Sequence, residues 1–302
     1  MTALPLPGAG DAFYVVDVMG MIHRVWHVAK KSPPEFTRRG ERCELIRGVV
    51  RMLARLIRDR DPALLALATE GRGDCWRRAY WPAYKAGHVP LPDECRQQIK
   101  RLWSVVQLMR IPILWAPTFE ADDAIAAATQ RARGAGFHVV VVSRDKDLAQ
   151  LAGQRVTCWD GDSPGRVMGP PEVEAKWGVK PDRLGDLLAL AGDESDDVPG
   201  IKGIGPKVAA ELLQAFGYLE AVLTRGPLEC RTANRRKLLR AGAVDARLSR
   251  ELVGLRVDAP IKLDLAEARV GGPDASLQAA FYDLRLAELW FCDVGPKRWR
   301  RG

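Results

Sequence analysis

Nine carboxylates fall where an enzyme keeps its reacting groups. Asp17 ends the core of the apolar run "AFYVVDV" (12–18), Glu70 closes "ALLALATE" (63–70), and Asp145 and Asp147 close "FHVVVVSRDKD" (137–147). Glu120, Asp122 and Asp123 open "FEADDAIAAATQRA" (119–132), and Asp193 and Asp196 lie in "LAGDESDD" (190–197). Each fragment alone has a plain reading, because acids suit the first turn of a helix and polar turns follow strands. Gathered in one place, they would repel one another near neutral pH unless cations neutralised them. Oxygen ligands without cysteine or histidine select Mg²⁺, with Mn²⁺ as a substitute. Two such ions per site suit attack of water on a phosphodiester, which needs no serine, cysteine or histidine nucleophile. The four histidines, His23, His27, His88 and His138, show no triad pattern.

A glycine loop follows the last acids. In "GIKGIGPKVAAELL" (200–213), Gly200, Gly203 and Gly205 let the backbone turn tightly and bring N–H groups near an anion. Pro206 suits a first helical position, so the loop ends at a helix N-terminus, and Lys202 and Lys207 add positive charge. With the helix expected in "DRLGDLLALAG" (182–192), this makes a helix–hairpin–helix that holds duplex phosphates without reading bases. An ordinary glycine-rich turn between helices is the alternative. A third stretch, "RGDCWRRAYWPAYKAGH" (72–88), interleaves Trp76, Tyr80, Trp81 and Tyr84 with Arg72, Arg77, Arg78 and Lys85. Charge and stacking faces together suit a single strand; the alternative is aromatics packed inward beneath a solvated basic face.

The elements that must position these groups follow from the pattern. The runs at 12–18, 63–70, 111–116 and 137–147 read as buried strands, with helices between them. That alternation predicts an α/β fold with a mostly parallel sheet flanked by helices. It sets the acids at the C-terminal ends of strands, the edge where open sheets bind ligands. Residues 45–58 form an amphipathic helix whose Arg47, Arg51, Arg55 and Arg58 read as a solvated stripe. Strand signals fade near 171, which divides the chain into an α/β core (1–170) and a helical domain (171–302).

Composition bounds the partners. The 302 residues are 47% apolar and carry a net charge of +8, enough for a substantial core and suited to a polyanion. The start lacks a signal pattern, and no apolar run is long enough to span a bilayer. Six scattered cysteines suggest neither zinc nor a disulfide framework, so a reduced, cytoplasmic setting is expected.

The motifs "DV…HR" (17–24), "WRRAYWPAYKAGH" (76–88), "FEADDAIA" (119–126), "VVSRDKDLAQL" (141–151) and "LAGDESDDVPGIKGIGPKVA" (190–209) occur in one order along nearly the whole chain. In this the sequence resembles the 5′-nuclease superfamily, the flap endonucleases and the N-terminal nuclease domain of bacterial DNA polymerase I. The resemblance implies a PIN-like core, a helical arch over about 72–103 that admits a 5′ single strand, and a helix–three-turn–helix duplex clamp. It implies one metal near Asp17, Glu70, Glu120 and Asp122, with Asp123 close by, and another near Asp145, Asp147, Asp193 and Asp196. It assigns Lys85 to the scissile phosphate and Arg24 and Arg77 to the 5′ region. Trp76, Tyr84 and His88 fall in the DNA-contacting stretch, and potassium is expected on hairpin carbonyls of 200–205. The chain departs from the family at Val18, His23, Glu70, His88 and Asp197, none of which deletes a carboxylate.

The expectation is a Mg²⁺-dependent 5′→3′ exonuclease and 5′-flap endonuclease of replication and repair. Its substrates would be DNA with flaps, overhangs or nicks, and RNA-primed duplex. It would be a stand-alone, nucleoid-associated monomer linked functionally to a polymerase and a ligase. The competing readings are a structure-specific DNA-binding protein with weakened catalysis and a PIN-like ribonuclease.

Overall fold

A strand covered by helices on both faces must be apolar at every position, and the central segments here are. The computed structural model describes residues 12–162 and 165–291. In it β1 (Ala12–Asp17), β2 (Leu64–Ala68), β3 (Ile113–Leu114), β4 (His138–Val142), β5 (Val156–Trp159) and β6 (Val167–Met168) form one sheet in the order β3-β2-β1-β4-β5-β6. All neighbours are parallel except β5 and β6. Side chains alternate between two cores. Phe13, Val15, Leu64, Ala66, Val139 and Val141 enter one. Tyr14, Val16, Leu65, Leu67, Val140 and Val142 enter the other.

The helices of the first half are α1 (Val18–Ala29), α2 (Glu44–Arg60), α3 (Trp76–Tyr80), α4 (Asp93–Leu108) and α5 (Ala121–Gly134). Those of the second half are α6 (Pro170–Trp177), α7 (Pro181–Ala191), α8 (Pro206–Phe216), α9 (Leu219–Glu229), α10 (Ala233–Val253), α11 (Leu277–Asp283) and α12 (Glu288–Phe291). α1, α2, α4 and α11 pack on the Tyr14 face. α5 and the α7–α10 group share the core of the Phe13 face. The arginine stripe of α2 lies at the surface in ion pairs, Arg47 with Glu35 at 2.7 Å, Arg51 with Glu288 at 3.2 Å and Arg58 with Asp59 at 2.7 Å.

Four differences from the sequence expectations have physical causes. β3 keeps two residues of the six expected, because Arg110 and Thr118 on either side take left-handed backbone that ends the strand. β5 and β6 were not anticipated: they are short, and β5 lacks the long apolar run of a central strand. Residues 93–103, expected within an arch, lie in α4, which buries Cys95, Gln98 and Leu102. Gln98 fixes that packing by accepting from Leu45 N at 3.0 Å and donating to Glu44 at 3.1 Å. Finally, the helical half does not stay apart. Leu65 N donates to Ala268 O at 2.8 Å, and Leu277 and Phe281 are fully buried in the Tyr14-side core.

Candidate active site and duplex clamp

β1 is the switch point of the sheet, flanked by β2 on one side and β4 on the other, and the crevice beyond their C-terminal ends is where such sheets bind ligands. Asp17 ends β1 and caps α1, its Oδ1 accepting from Gly20 N at 2.8 Å. A Cβ at Gly20 would stand 2.3 Å from Asp17 Oδ2 and displace that carboxylate. Ser143, just past β4, donates from Oγ to Asp17 Oδ2 at 2.7 Å and accepts from Asp145 N at 3.0 Å. Asp147 N donates to Asp145 Oδ1 at 2.8 Å. One hydroxyl thus locks the acids of two strands in a common frame. Sequence reading passed over Ser143, although its place at a strand end beside "RDKD" was a signal. A recess of about 170 Å³ opens here, lined by Asp17, Arg24, Ser143 and Asp145. Arg24 is held by Asp162 at 3.5 Å and by Met52 Sδ at 3.4 Å, on the edge of that recess.

The opposite rim is built on the first turn of α5. Glu120 Oε1 accepts from Lys85 Nζ at 2.7 Å, and its Oε2 accepts from Tyr84 Oη at 3.0 Å. Lys85 Nζ also lies 3.4 Å from Asp196 Oδ2, so the lysine bridges the two halves of the chain. Glu70 Oε2 accepts from Ala121 N at 3.3 Å. From the hairpin side, Asp193 Oδ1 accepts from Ser195 Oγ at 2.7 Å, and its Oδ2 pairs with Lys146 Nζ at 2.7 Å. Lys146 is a second site residue that the sequence pattern left unremarked. His88 Nε2 lies 2.9 Å from Ser195 O and 3.7 Å from Asp196 Oδ1.

The electrostatics follow from this crowding. Glu70 stands in a cleft open to solvent yet hemmed in by protein, and burial of its carboxyl, with Glu120 beside it, pushes it up to about 7. Asp147 is pushed up to about 7 by burial and by Asp145 and Asp193. Burial, then Asp145, Asp17 and Glu120, hold Asp122 well above the usual carboxylate range. Burial likewise raises Asp145, with Asp17 adding to it, and raises Asp196, with Asp193 and Glu120 adding to it. Burial works against the charge of Asp193, but Lys146 and Ser195 hold its carboxyl below the usual value. Lys85 goes the other way: burial opposes its charge, but Glu120 and Asp196 outweigh it and raise it.

This donor set fits divalent cations. It is all oxygen, and Asp147 Oδ1 is buried with no hydrogen-bond partner, an acceptor left for a cation. In their present rotamers no three acidic, histidine or cysteine side chains among the described residues close on one point, and the ammonium groups of Lys85 and Lys146 take the positions between them.

Five expected site residues are placed otherwise. Asp123 is fully buried and faces away from the cleft, its oxygens accepting from Arg77 at 2.7 and 2.8 Å, from Trp76 Nε1 at 3.2 Å and from Arg256 N at 3.0 Å. Successive residues on a helix point about 100° apart, so Asp122 and Asp123 cannot both face the cleft. Arg77, expected at the substrate's 5′ region, is 2% exposed and grips Asp123, Glu120 and the carbonyls of Leu252 and Gly254. Trp76 is half-buried, with the guanidinium groups of Arg77 and Arg256 4.6 and 5.1 Å from its ring and its Nε1 spent on Asp123. Tyr84 is 4% exposed and spends its hydroxyl on Glu120. Gly200, at φ +59°, is buried and its N–H donates to Ser249 Oγ at 2.9 Å, so it shapes the turn and presents no donor to an anion.

The rest of the loop is open. Ile201 and Ile204 anchor it, each 2% exposed, while Lys202, Gly203, Gly205 and Lys207 face solvent. Gly203 takes φ +90°, and Gly205 caps α8 with Pro206 in its first turn. An exposed helix N-terminus beside two exposed lysines is an anion-binding arrangement.

A carboxylate cluster at the switch point of a parallel sheet, next to an anion-binding hairpin between helices, defines the class of metal-type nucleases. Comparison with known proteins gives the family. Residues 12–178 match the model of the 5′-3′ exonuclease N-terminal resolvase-like domain, and residues 179–276 that of the 5′-3′ exonuclease C-terminal SAM fold. The chain belongs to the 5′-3′ exonuclease family, whose members are hydrolytic nucleases. It is 32% identical over 277 residues to a 5′-3′ exonuclease of Aquifex aeolicus, covering 91% of this chain and 93% of that one. It is 37% identical over 265 residues to DNA polymerase I of Rhizobium leguminosarum, covering 85% of this chain but only 26% of the polymerase. The structure of zinc-bound T5 5′-exonuclease superposes with a TM-score of 0.69 at 19% identity, over 92% of this chain and all of that one, a likeness of fold. Among the described residues no helix is long and apolar enough to cross a membrane.

Proposed function

We propose that this protein hydrolyses DNA phosphodiesters as a Mg²⁺-dependent 5′→3′ exonuclease and 5′-flap endonuclease. The observation that carries this is the convergence of Asp17, Glu70, Glu120, Asp122, Asp145, Asp147, Asp193 and Asp196 on one crevice, with Asp147 Oδ1 buried and unpartnered. Asp17, Glu70, Glu120 and Asp122 would hold one ion, and Asp145, Asp147, Asp193 and Asp196 the other. Bound there, divalent ions lower the pKa of a water and neutralise the charge that builds on the phosphate.

The chain's own groups do the rest. Ser143 keeps Asp17 and Asp145 in register. Lys85, raised and therefore charged throughout the neutral range, pairs with Glu120 and Asp196 beside the acids and would bind a phosphate oxygen when divalent ions occupy those carboxylates. Arg24 adds positive charge on the far side of the recess. Lys202, Gly203, Gly205 and Lys207 would hold duplex phosphates at a fixed distance, and carbonyls of residues 200–205 would hold potassium. Flapped, nicked or RNA-primed duplex supplies both the duplex and the free 5′ strand, which suits work beside a polymerase and a ligase.

A labelled 5′-flap duplex with Mg²⁺ tests the reading. The parent should cut near the junction, and Asp145→Asn should bind without cutting. Lys85→Ala should slow hydrolysis by about 10²-fold or more while leaving duplex affinity nearly unchanged, since a contact made in the transition state appears in kcat. Binding by the parent with no cleavage in Mg²⁺ or Mn²⁺ would refute it in favour of a DNA-binding protein.

A further inference from the structure

Beside the acid cleft, on the outer edge of β3, runs a groove of about 880 Å³. Glu70 belongs to both, so the two spaces meet at the carboxylate cluster. The groove is walled by Trp103 and Trp115, with Arg72, Arg110 and Gln107 around them. Trp115 is 40% exposed, unusual for so large a ring, and Arg72 approaches its face to 5.8 Å. Trp103 is half-buried against the α2–α4 core and held in place by it. Arg110 keeps a left-handed backbone, φ +55°, at the turn that brings it to the rim.

The chemistry of this lining is specific. Arg72 and Arg110 are offset by Glu70 and Glu267, so the groove is not a track for phosphates. What it offers is two indole surfaces, two planar cations and an amide that can both donate and accept. These recognise a nucleobase: a flat ring to stack, with polar edges to bond. The volume lies in the range of small-molecule sites. None of these groups is needed to hold the fold's metal-site acids.

We infer that the groove is a base-stacking subsite for an unpaired nucleotide of the strand being cut, with Trp115 its open face. This rests on the nuclease reading, because continuity with Glu70 is what identifies the occupant as substrate. It also supplies a stacking surface that the buried Tyr84 does not provide.

2-Aminopurine, placed in turn at each unpaired position of a flapped duplex, reports stacking by loss of fluorescence. On an Asp145→Asn background, one position should be quenched on binding. Trp115→Ala should restore that fluorescence and weaken flapped-duplex binding about tenfold, the loss of one stacked base, while binding of blunt duplex stays unchanged. Trp115→Phe should keep most of both. If no position is quenched, or if Trp115→Ala weakens flapped and blunt duplex equally, the subsite is refuted while flap cleavage by the parent leaves the nuclease reading standing. If the parent neither binds nor cuts DNA, both fall.

Discussion

Asp17 shows how much a single position carries. It ends a strand, caps a helix, and accepts from both Gly20 N and Ser143 Oγ. Gly20→Ala would drive a methyl into its carboxylate, so the side chain must turn away. We expect stability to change by about 1 kcal/mol, the size of a lost cap, with a much larger drop in Mg²⁺ affinity by calorimetry. Arg77 is the opposite case, a residue whose sequence context suggested DNA and whose surroundings are protein. Arg77→Ala leaves Asp123 charged, buried and unpaired, and should cost about 3–5 kcal/mol in urea unfolding. Sequence could locate Asp123 in the first turn of a helix but not say toward which neighbour it turned. That depends on Arg77 and Arg256, which lie 46 and 133 residues away. Ser143 and Lys146 were missed for a like reason: a hydroxyl and an ammonium within an acidic motif show their role only once their partners are in place.

Among the elements, those buried on both faces were legible and those at edges were not. β1, β2 and β4 are continuous apolar runs, and α2 and α5 show their periods and first-turn acids plainly. β3, β5 and β6 have two to four residues and draw their definition from the neighbour they pair with. α4 takes in residues 93–103 of the expected helical arch and carries a buried stripe at Cys95, Gln98, Leu102 and Val106 that its polar residues mask in the sequence. The hairpin between α7 and α8 was read correctly as a tight glycine turn, yet its glycines differ. At Gly203 a Cβ would meet Leu238 at an ordinary 3.4 Å, so Gly203→Ala should cost only the backbone strain of about 1–2 kcal/mol. At Gly200 the Cβ would lie 2.2 Å from Gly192 N, so Gly200→Ala should lower the thermal midpoint considerably more. Equal shifts for the two would show that the turn is softer than drawn.

At the scale of the molecule, the net charge of +8 coexists with a crevice crowded with acids. The positive charge must therefore act elsewhere, and on the proposed reading the hairpin is where it would meet a duplex. Replacing both Lys202 and Lys207 by alanine should reduce the slope of log affinity against log salt by about two, without changing the rate at saturating substrate. Anisotropy titrations over a range of salt measure the first and single-turnover cleavage the second. The helical second half of the sequence is nonetheless joined to the α/β half, because residues 268–281 return to the sheet and its core. Nothing in the local sequence marks that return, because it is written in pairings with Ala63 and Leu65 some 200 residues earlier.

One contact joins these scales. The guanidinium of Arg77 shares Glu120 with Lys85 and also holds the carbonyls of Leu252 and Gly254 at the end of α10. On the proposed reading, clamp and cleft are tied to each other through this buried contact. The enzyme should behave as a caliper, cutting at one distance from the junction whatever the flap's length.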